Sequence, residues 1–262
     1  MNNTKFFDSH AHINLNHYDN DRDEIINKIF DSGVDKIVIP GVDMNTINSA
    51  LDLAKKYPNN IYTGIGYHPT DSIKWDENTL NKLKELSKNK SVVAIGEIGL
   101  DYYWDTSPKE LQHEIFKTQI NLAKELNLPI IIHTRDSLED TMKILKENNA
   151  DKVGGIFHCF SGDLEFAKEC VDFGFYISFA GNITFKNAQK LRDVAKEISL
   201  KNILIETDSP YLTPIPDRGK RNDSSYVKFV AKQIAELKNI TIEEVAEQTY
   251  NNAMNVFKIN NN

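Results

Sequence analysis

Histidine and carboxylate side chains recur at the ends of short apolar runs in this chain of 262 residues. The first set follows Phe7, where Asp8, His10 and His12 are spaced two residues apart. Side chains of an extended strand alternate between its two faces, so these three point the same way. Two imidazoles on one face can both reach a single divalent ion. The spacing therefore predicts a metal site at the end of the first strand.

Later apolar runs end on further residues of the same chemical types. These residues are His68 after the third predicted strand, Glu97 after the fourth, His133 after the fifth, His158 after the sixth, and Glu206 with Asp208 after the eighth. The two remaining histidines, His17 and His113, are interpreted as surface residues in a loop and a helix. Because so many strand ends carry ligand-type residues, one shared site is favoured over scattered buried histidines.

This set has the ligand chemistry of a hydrolase with two divalent ions, Mg²⁺, Mn²⁺ or Zn²⁺. The predicted ligands are His10, His12, Glu97 and Asp208 for one ion, and Glu97, His133 and His158 for the other. Glu97 is expected to bridge the ions at roughly 3.5–4 Å. Water held between them loses a proton near neutral pH and becomes the nucleophile. Asp208 is predicted to orient and deprotonate this water.

Three further residues are predicted to support the ligands. Asp8 lies two residues before His10, and a ligand histidine usually donates its other ring nitrogen to a carboxylate or a carbonyl. Glu206 is expected to hold Arg135, which follows the fifth strand. For each of these residues, a plain salt bridge that closes the barrel is the alternative interpretation.

Short apolar runs alternate with longer amphipathic segments along the whole chain. The predicted strands are residues 6–10, 36–39, 61–65, 92–95, 130–133, 155–158, 176–179 and 203–206. Helical patterns follow each of them, which predicts a closed (β/α)8 TIM barrel in a single domain over residues 1–262. The alternative is an open doubly wound sheet, but no Gly-x-Gly-x-x-Gly motif follows the first strand. In a barrel of this kind, the carboxyl ends of the strands surround one site.

Two helix starts carry capping signals. Ser107 precedes Pro108 and Glu110, and Thr241 precedes Glu244 at the spacing of a capping box. Hydroxyl side chains at these positions accept hydrogen bonds from backbone amides of the first helical turn. Both residues are therefore predicted to be N-caps.

Composition limits the possible functions. The chain has 40% hydrophobic and 26% charged residues, a net charge of −7 and a pI near 5.5. This charge argues against a protein that grips long duplexes through many phosphate contacts. No signal peptide or membrane span is evident, and Cys159 and Cys170 alone form no disulfide framework. A cytoplasmic enzyme without membrane contact is expected.

The motifs together resemble the TatD family of metal-dependent deoxyribonucleases. They are Asp-Ser-His-Ala-His at 8–12, Gly-Tyr-His-Pro at 66–69, Gly-Glu-Ile-Gly-Leu-Asp-Tyr at 96–102, Ile-His-Thr-Arg-Asp at 132–136, His-Cys-Phe-Ser-Gly at 158–162, Glu-Thr-Asp-Ser-Pro at 206–210 and Arg-Gly-Lys-Arg-Asn at 218–222. The resemblance covers nearly the whole chain. It implies an amidohydrolase-like barrel that binds divalent metals and hydrolyses DNA phosphodiesters, often from the 3′ end. Carried over by position, it implies the same six metal ligands.

One departure from the family pattern lies in the last motif. Relatives commonly continue Arg-Asn with Glu-Pro, whereas this chain has Asp223, Ser224 and Ser225. The carboxylate is kept on a shorter side chain, and the stiffness of proline is lost. The shape of the substrate loop is expected to differ.

The substrate side of the site is predicted from basic and aromatic residues. Arg218, Lys220 and Arg221 form a basic loop that is expected to contact phosphates, with a solvated charge run as the alternative. His68 is predicted to hydrogen-bond a phosphate or to protonate the leaving group. Tyr102, in the loop after the fourth strand, is predicted to contact substrate.

The aromatic residues of that loop and the small size of the basic patch bear on the substrate. Tyr103 and Trp104 follow Tyr102, and Trp75 lies in the loop after the third strand. Rings at a rim can stack unpaired bases, although packing between loops is the alternative. A single strand or a frayed 3′ end is therefore favoured over an intact duplex. The enzyme is expected to be a monomer.

Two other functions compete with a DNA phosphodiesterase. The same metal chemistry can attack an amide, another ester or a phosphotriester, because metal-activated water reacts with carbonyl and phosphoryl centres alike. The basic loop favours the phosphodiester. A non-enzymatic alternative is a metal-stabilised barrel that serves as a scaffold for partners.

Overall fold

Eight parallel strands pair in chain order around the protein. The computed structural model describes residues 4–260. The strands are β1 Phe6–Asp8, β2 Val34–Pro40, β3 Ile61–Ile65, β4 Val92–Asp101, β5 Ile130–Arg135, β6 Gly155–Phe157, β7 Phe175–Phe179 and β8 Ile203–Ile205. The Ser9 amide donates to the Ile205 carbonyl at 3.1 Å, which brings the first and last strands together. The predicted (β/α)8 barrel is confirmed.

Helices follow the strands, and two of them follow β8. They are α1 Arg22–Asp31, α2 Met44–Lys56, α3 Thr79–Leu86, α4 Lys109–Leu126, α5 Leu138–Glu147, α6 Leu164–Asp172, α7 Gln189–Glu197, α8 Val227–Lys238 and α9 Ile242–Val256. None of the helices within residues 4–260 is long and apolar enough to cross a lipid bilayer.

One of the two predicted caps is confirmed. Thr241 and Glu244 form a complete capping box at the start of α9. The prediction for Ser107 is wrong, because α4 has Pro108 at its N-cap and no side-chain cap. The Ser107 hydroxyl instead donates to the Thr70 carbonyl at 3.0 Å, so it joins α4 to the loop after β3.

Along β5 and β6, apolar residues of the core are followed by polar residues at the carboxyl end. Ile131 and Ile156 pack in one hydrophobic cluster with Phe257, which directly follows α9. The residue two positions after each of these isoleucines lies on the same side of its strand. Those residues are His133 and His158. One face of each strand therefore carries a core isoleucine first and a candidate ligand two residues later.

The strands that carry the site differ in length from the prediction. β1 ends at Asp8, so His10 follows the strand instead of lying within it. β4 is longer than predicted and runs to Asp101, with every residue buried. Gly99 in β4 has a φ of +146°, and a Cβ there would lie 2.0 Å from the His133 carbonyl oxygen. Only glycine allows β4 to approach β5 this closely at a candidate ligand.

Candidate metal centre

Glu97 lies at the centre of the predicted site. Its Oε2 atom is 3.3 Å from His10 Nε2 and 3.6 Å from His12 Nε2. Its Oε1 atom is 2.9 Å from His133 Nδ1 and 2.8 Å from His158 Nε2. Each carboxylate oxygen therefore faces one pair of histidines, as expected of a residue that bridges two ions.

The first pair of histidines forms a donor set with Asp208. His10 Nε2 and His12 Nε2 are 3.1 Å apart, and they lie 3.8 and 3.6 Å from Asp208 Oδ1. Donor atoms that share one tetrahedral ion at about 2.1 Å are roughly 3.4 Å from one another. The spacing of these nitrogens and oxygens therefore fits a divalent cation.

The second pair of histidines is equally close. His133 Nδ1 and His158 Nε2 are 3.3 Å apart, and both contact the same oxygen of Glu97. The ring of His158 also stacks on that of His10, with centroids 3.9 Å apart, so the two donor sets adjoin. The chemistry and spacing of this set also fit a divalent cation.

His68 lies at the edge of the second set, with Nε2 3.6 Å from Glu97 Oε1. It forms a possible ligand group with Glu97 and His133. However, its Nδ1 atom accepts a hydrogen bond from the Thr70 amide at 3.2 Å. The neutral ring then carries its proton on Nε2, which faces the site as a donor. This geometry supports a role in hydrogen bonding, as predicted, over metal ligation.

The predicted role of Asp8 is wrong. Its carboxylate accepts hydrogen bonds from the Thr207 amide at 2.9 Å and the Thr207 hydroxyl at 2.6 Å. It also lies 3.3 Å from the backbone amide of His10, whereas the buried Nδ1 of that ring has no hydrogen-bond partner among the described residues. Asp8 therefore ties β1 to the segment after β8 and does not orient the imidazole.

The predicted contact between Glu206 and Arg135 is also wrong. The Glu206 carboxylate accepts hydrogen bonds from the Cys159 amide at 2.7 Å and the Ser178 hydroxyl at 2.5 Å. One of its oxygens is 3.4 Å from Nδ1 of His158. Glu206 therefore holds the backbone next to His158, whose buried Nδ1 has no hydrogen-bond partner among residues 4–260. The exposed Arg135 side chain instead lies against Tyr103.

Asp101 is a functional candidate that the sequence reasoning missed. Its Oδ2 atom is 2.9 Å from Nε2 of His133, on the side of the ring away from Glu97. Its Oδ1 atom accepts hydrogen bonds from the amides of Tyr103 and Trp104 at 3.0 and 3.1 Å. The signal was its spacing of four residues from Glu97, which places both carboxylates on one side of a strand. Asp101 is thus a positioning residue for His133.

We expect Asp101→Asn to weaken divalent metal binding by about 10- to 100-fold, because the carboxylate partner of a ligand histidine raises its basicity. Asparagine retains an acceptor for the two loop amides, so the loop should persist. Calorimetric titration with Mn²⁺ measures the change. Asp105→Asn, in the exposed part of the same loop, is the control. Equal Mn²⁺ affinity in both variants would show that Asp101 has no influence on the centre.

Comparison with known proteins identifies the family. A family model described as TatD related DNase matches residues 7–258. The chain belongs to the TatD family. It is therefore a metal-dependent hydrolase, in agreement with the donor sets described above.

Similar TatD-type proteins match along their whole length. A Bacillus subtilis protein named uncharacterized metal-dependent hydrolase YabD is 54% identical over 97% of this chain and 99% of its own. The Escherichia fergusonii protein named 3′-5′ ssDNA/RNA exonuclease TatD is 33% identical over 97% of this chain and 99% of its own. The crystal structure of the TatD homologue YjjV from Escherichia coli has a TM-score of 0.91 at 30% identity, covering 98% of this chain and 100% of that one.

The pKa shifts of the TatD-type centre suit metal ligation at Glu97 and His12, whereas at His158 burial lowers the pKa but Glu97 and Glu206 raise it well above its usual value. Burial raises the pKa of Glu97, but the neighbouring His158 and His10 outweigh this effect and hold that pKa well below its usual value. Burial, reinforced by His10, lowers the pKa of His12 to about 3. Burial raises the pKa of Asp208 to about 6. An ionised Glu97 and a neutral His12 are the protonation states that ligate metals.

The predicted basic loop of this TatD protein does not act as one patch. Arg221 binds the Asp21 carboxylate at 2.5 and 3.0 Å, and Lys220 binds Asp217 at 2.5 Å. Arg218 has no carboxylate partner within residues 4–260, and its guanidinium lies 4.3 Å from the ring centroid of Phe185. Of the three predicted phosphate contacts, only Arg218 has its charge uncompensated.

Tyr102 is not available to substrate as predicted. Its hydroxyl lies 2.5 Å from His113 Nε2 and 2.7 Å from an oxygen of Asp140. The Lys109 ammonium lies 3.9 Å from its ring centroid. These contacts fix Tyr102 between helices α4 and α5, so the prediction that it binds substrate is wrong. His113, interpreted as a surface residue, takes part in this contact.

The departure at Asp223 has a structural role. The buried carboxylate accepts hydrogen bonds from the Ser225 amide at 2.9 Å and the Lys28 ammonium at 2.6 Å. Asp223 thereby caps the short turn Ser224–Tyr226 and joins it to α1. The carboxylate is used to hold the loop in place.

Proposed function

We propose that this TatD protein hydrolyses phosphodiester bonds of DNA, acting from the 3′ end on single strands or frayed ends. One observation carries the proposal. Arg135 and Arg218 are the arginines of residues 4–260 whose guanidiniums make neither a hydrogen bond nor an ion pair. Arg135 is the last residue of β5 and Arg218 lies in the loop after β8, so both are at the end of the barrel that holds the metal centre. In a chain of net charge −7, two free guanidiniums at the end of the barrel that holds the metal centre favour an anionic substrate.

The relatives add independent support. The Escherichia fergusonii relative at 33% identity is named as an exonuclease that acts 3′ to 5′ on single-stranded DNA and RNA. All the donor groups come from one chain, which supports a monomer as the active unit. With Arg135 and Arg218 as the uncompensated arginines of residues 4–260, an end or a single strand is favoured over a long duplex.

The residues of the centre have distinct roles in this proposal. His10, His12 and Asp208 would hold one ion, His133 and His158 the other, with Glu97 shared. The ions would supply Lewis acidity and lower the pKa of water at the centre. Asp208 accepts the proton of the attacking water, since its pKa of about 6 leaves it mostly ionised at neutral pH. His68 directs its Nε2–H group towards the site, where it donates a hydrogen bond to a phosphate oxygen or to the leaving oxygen.

The test compares labelled oligonucleotides with other hydrolase substrates in Mn²⁺ or Mg²⁺. A 5′-labelled single strand should shorten stepwise, whereas a 3′-labelled strand should release its label in the first step. RNA of the same sequence, a blunt duplex, and carboxyl ester and amide substrates complete the panel. Intact single strands together with rapid cleavage of an ester or amide would contradict the proposal and indicate another hydrolase.

We expect Arg218→Ala to raise KM for a single-stranded oligonucleotide by about 10-fold, because one phosphate contact is lost. The slope of log KM against log salt concentration should fall by about 0.7. Lys201→Ala is the control, since Lys201 is an exposed cation that precedes β8 at the opposite end of the barrel. An unchanged salt dependence in Arg218→Ala would exclude a phosphate contact there.

A further inference from the structure

An exposed aromatic pair lies next to the metal centre. Tyr103 and Trp104 are 55% and 52% exposed, and their rings meet edge to face with centroids 4.9 Å apart. Both backbone amides donate to Asp101, and the other oxygen of the same carboxylate contacts His133. A single carboxylate therefore connects the aromatic pair to a candidate metal ligand. This connection fixes the pair at the edge of the reaction centre.

Arg135 completes the exposed cluster. Its guanidinium carbon lies 3.9 Å from the ring centroid of Tyr103 and 5.8 Å from that of Trp104. It belongs to the last paired position of β4 and β5, opposite Asp101. Within residues 4–260 the N–H groups of its guanidinium have no acceptor, so they face solvent or a ligand. A planar cation with free donors beside two exposed rings suits a ligand with both an anionic and an aromatic part.

Two other aromatic residues of this rim are covered, and a third is exposed on another side of the centre. Tyr102 is held by its contacts with His113 and Asp140. Trp75 is half-buried and packs edge to face on Tyr67, with centroids 5.4 Å apart. Tyr211, three residues after Asp208, is 49% exposed but lies in the segment after β8, with its ring centroid 5.8 Å from that of His17. Among residues 4–260, Tyr103 and Trp104 are therefore the exposed rings that lie next to Arg135.

We propose that Tyr103, Trp104 and Arg135 form a subsite for one nucleotide of a single strand. In this subsite an unpaired base stacks on the exposed indole, and the guanidinium donates to the phosphate of the same nucleotide. The inference rests on the proposed function and names the feature that selects single strands. A base within a duplex has its faces covered by its neighbours and cannot stack on a protein ring. Because every base has a π-face, the subsite accepts all four bases.

Binding is tested through tryptophan fluorescence. The chain has two tryptophans, so a Trp75→Phe protein reports from Trp104 alone. The Mg²⁺-loaded full chain is titrated with a hydrolysis-resistant phosphorothioate hexathymidylate. We expect saturable quenching, and about 5- to 150-fold weaker binding of a hexamer whose bases are replaced by abasic residues.

Kinetics provide the second measurement. Tyr103→Ala and Trp104→Ala should each raise KM for a single-stranded oligonucleotide by about 5- to 150-fold, with kcat changed less than about 2-fold. Trp104→Phe keeps a stacking ring and should restore most of the affinity. Ile73→Ala removes an exposed apolar side chain without a ring from the neighbouring loop, and it serves as the control.

The outcomes separate the subsite from the nuclease itself. Base-dependent quenching supports the subsite even where the protein cleaves no nucleic acid, a result that would overturn only the proposed function. Cleavage of single strands with unchanged KM in both alanine variants would overturn the subsite and leave the nuclease intact. Equal binding of the normal and abasic hexamers, or no binding of either, would also overturn the subsite.

Discussion

Replacing Glu97 by glutamine is expected to lower kcat/KM by about 10³-fold or more. The carboxylate contacts both histidine pairs, at 2.8–3.6 Å from His10, His12, His133 and His158. Glutamine keeps the shape of the side chain but removes its charge. One of its two terminal atoms becomes an N–H₂ group, which cannot ligate a cation. One donor set therefore loses its oxygen whichever way the amide is oriented.

Steady-state kinetics and Mn²⁺ titration of the same preparations measure this effect. Glu114→Gln is the matched control, because Glu114 is an exposed residue of α4. Circular dichroism and thermal melting of the metal-free proteins show whether the fold is retained. Turnover of Glu97→Gln within about 10-fold of the unaltered protein would contradict a shared ligand and the proposed mechanism.

The barrel and its ligand set could be predicted because both depend on local patterns. Continuous apolar runs mark parallel strands that are covered on both faces. Parallel strands place their carboxyl ends on one side, so residues that follow different strands meet there. His133 and His158 are 25 positions apart in sequence, yet their ring nitrogens lie 3.3 Å from one another. No spacing within the sequence gives that distance, but the topology does.

The partners of charged side chains could not be predicted in the same way. Arg135 was expected to contact Glu206, but its long side chain stacks on Tyr103 instead. The Glu206 carboxylate instead accepts hydrogen bonds from the hydroxyl of Ser178 and the amide of Cys159. The partner of a charged side chain depends on strand register and on the direction of long side chains. The alternation of apolar and polar residues in the sequence does not determine either of them. Asp101 was missed because β4 extends six residues beyond its predicted end.

Removal of divalent ions is expected to abolish hydrolysis and to lower the melting temperature. Without cations, the buried Glu97 carboxylate lies among closely spaced imidazoles. The ring nitrogens of His10 and His12 are 3.1 Å apart, and those of His133 and His158 are 3.3 Å apart. Ions that bind only the folded chain stabilise it by about 2.7 kcal/mol at a concentration 100 times Kd. For a chain of this length that corresponds to roughly 5–11 °C.

Scanning calorimetry after EDTA treatment, followed by addition of Mn²⁺, measures both losses and their recovery. His133→Ala should show a smaller shift, because one of its donor sets is incomplete.

The experiment also separates an enzyme from a scaffold. A metal-stabilised scaffold loses melting temperature on chelation, but its metal-loaded form hydrolyses none of the substrates in the panel. An enzyme with the proposed centre recovers stability and turnover over the same range of Mn²⁺ concentration, since the same donors serve both. Full activity in EDTA, with an unchanged melting temperature, would contradict every function that depends on the donor sets around Glu97.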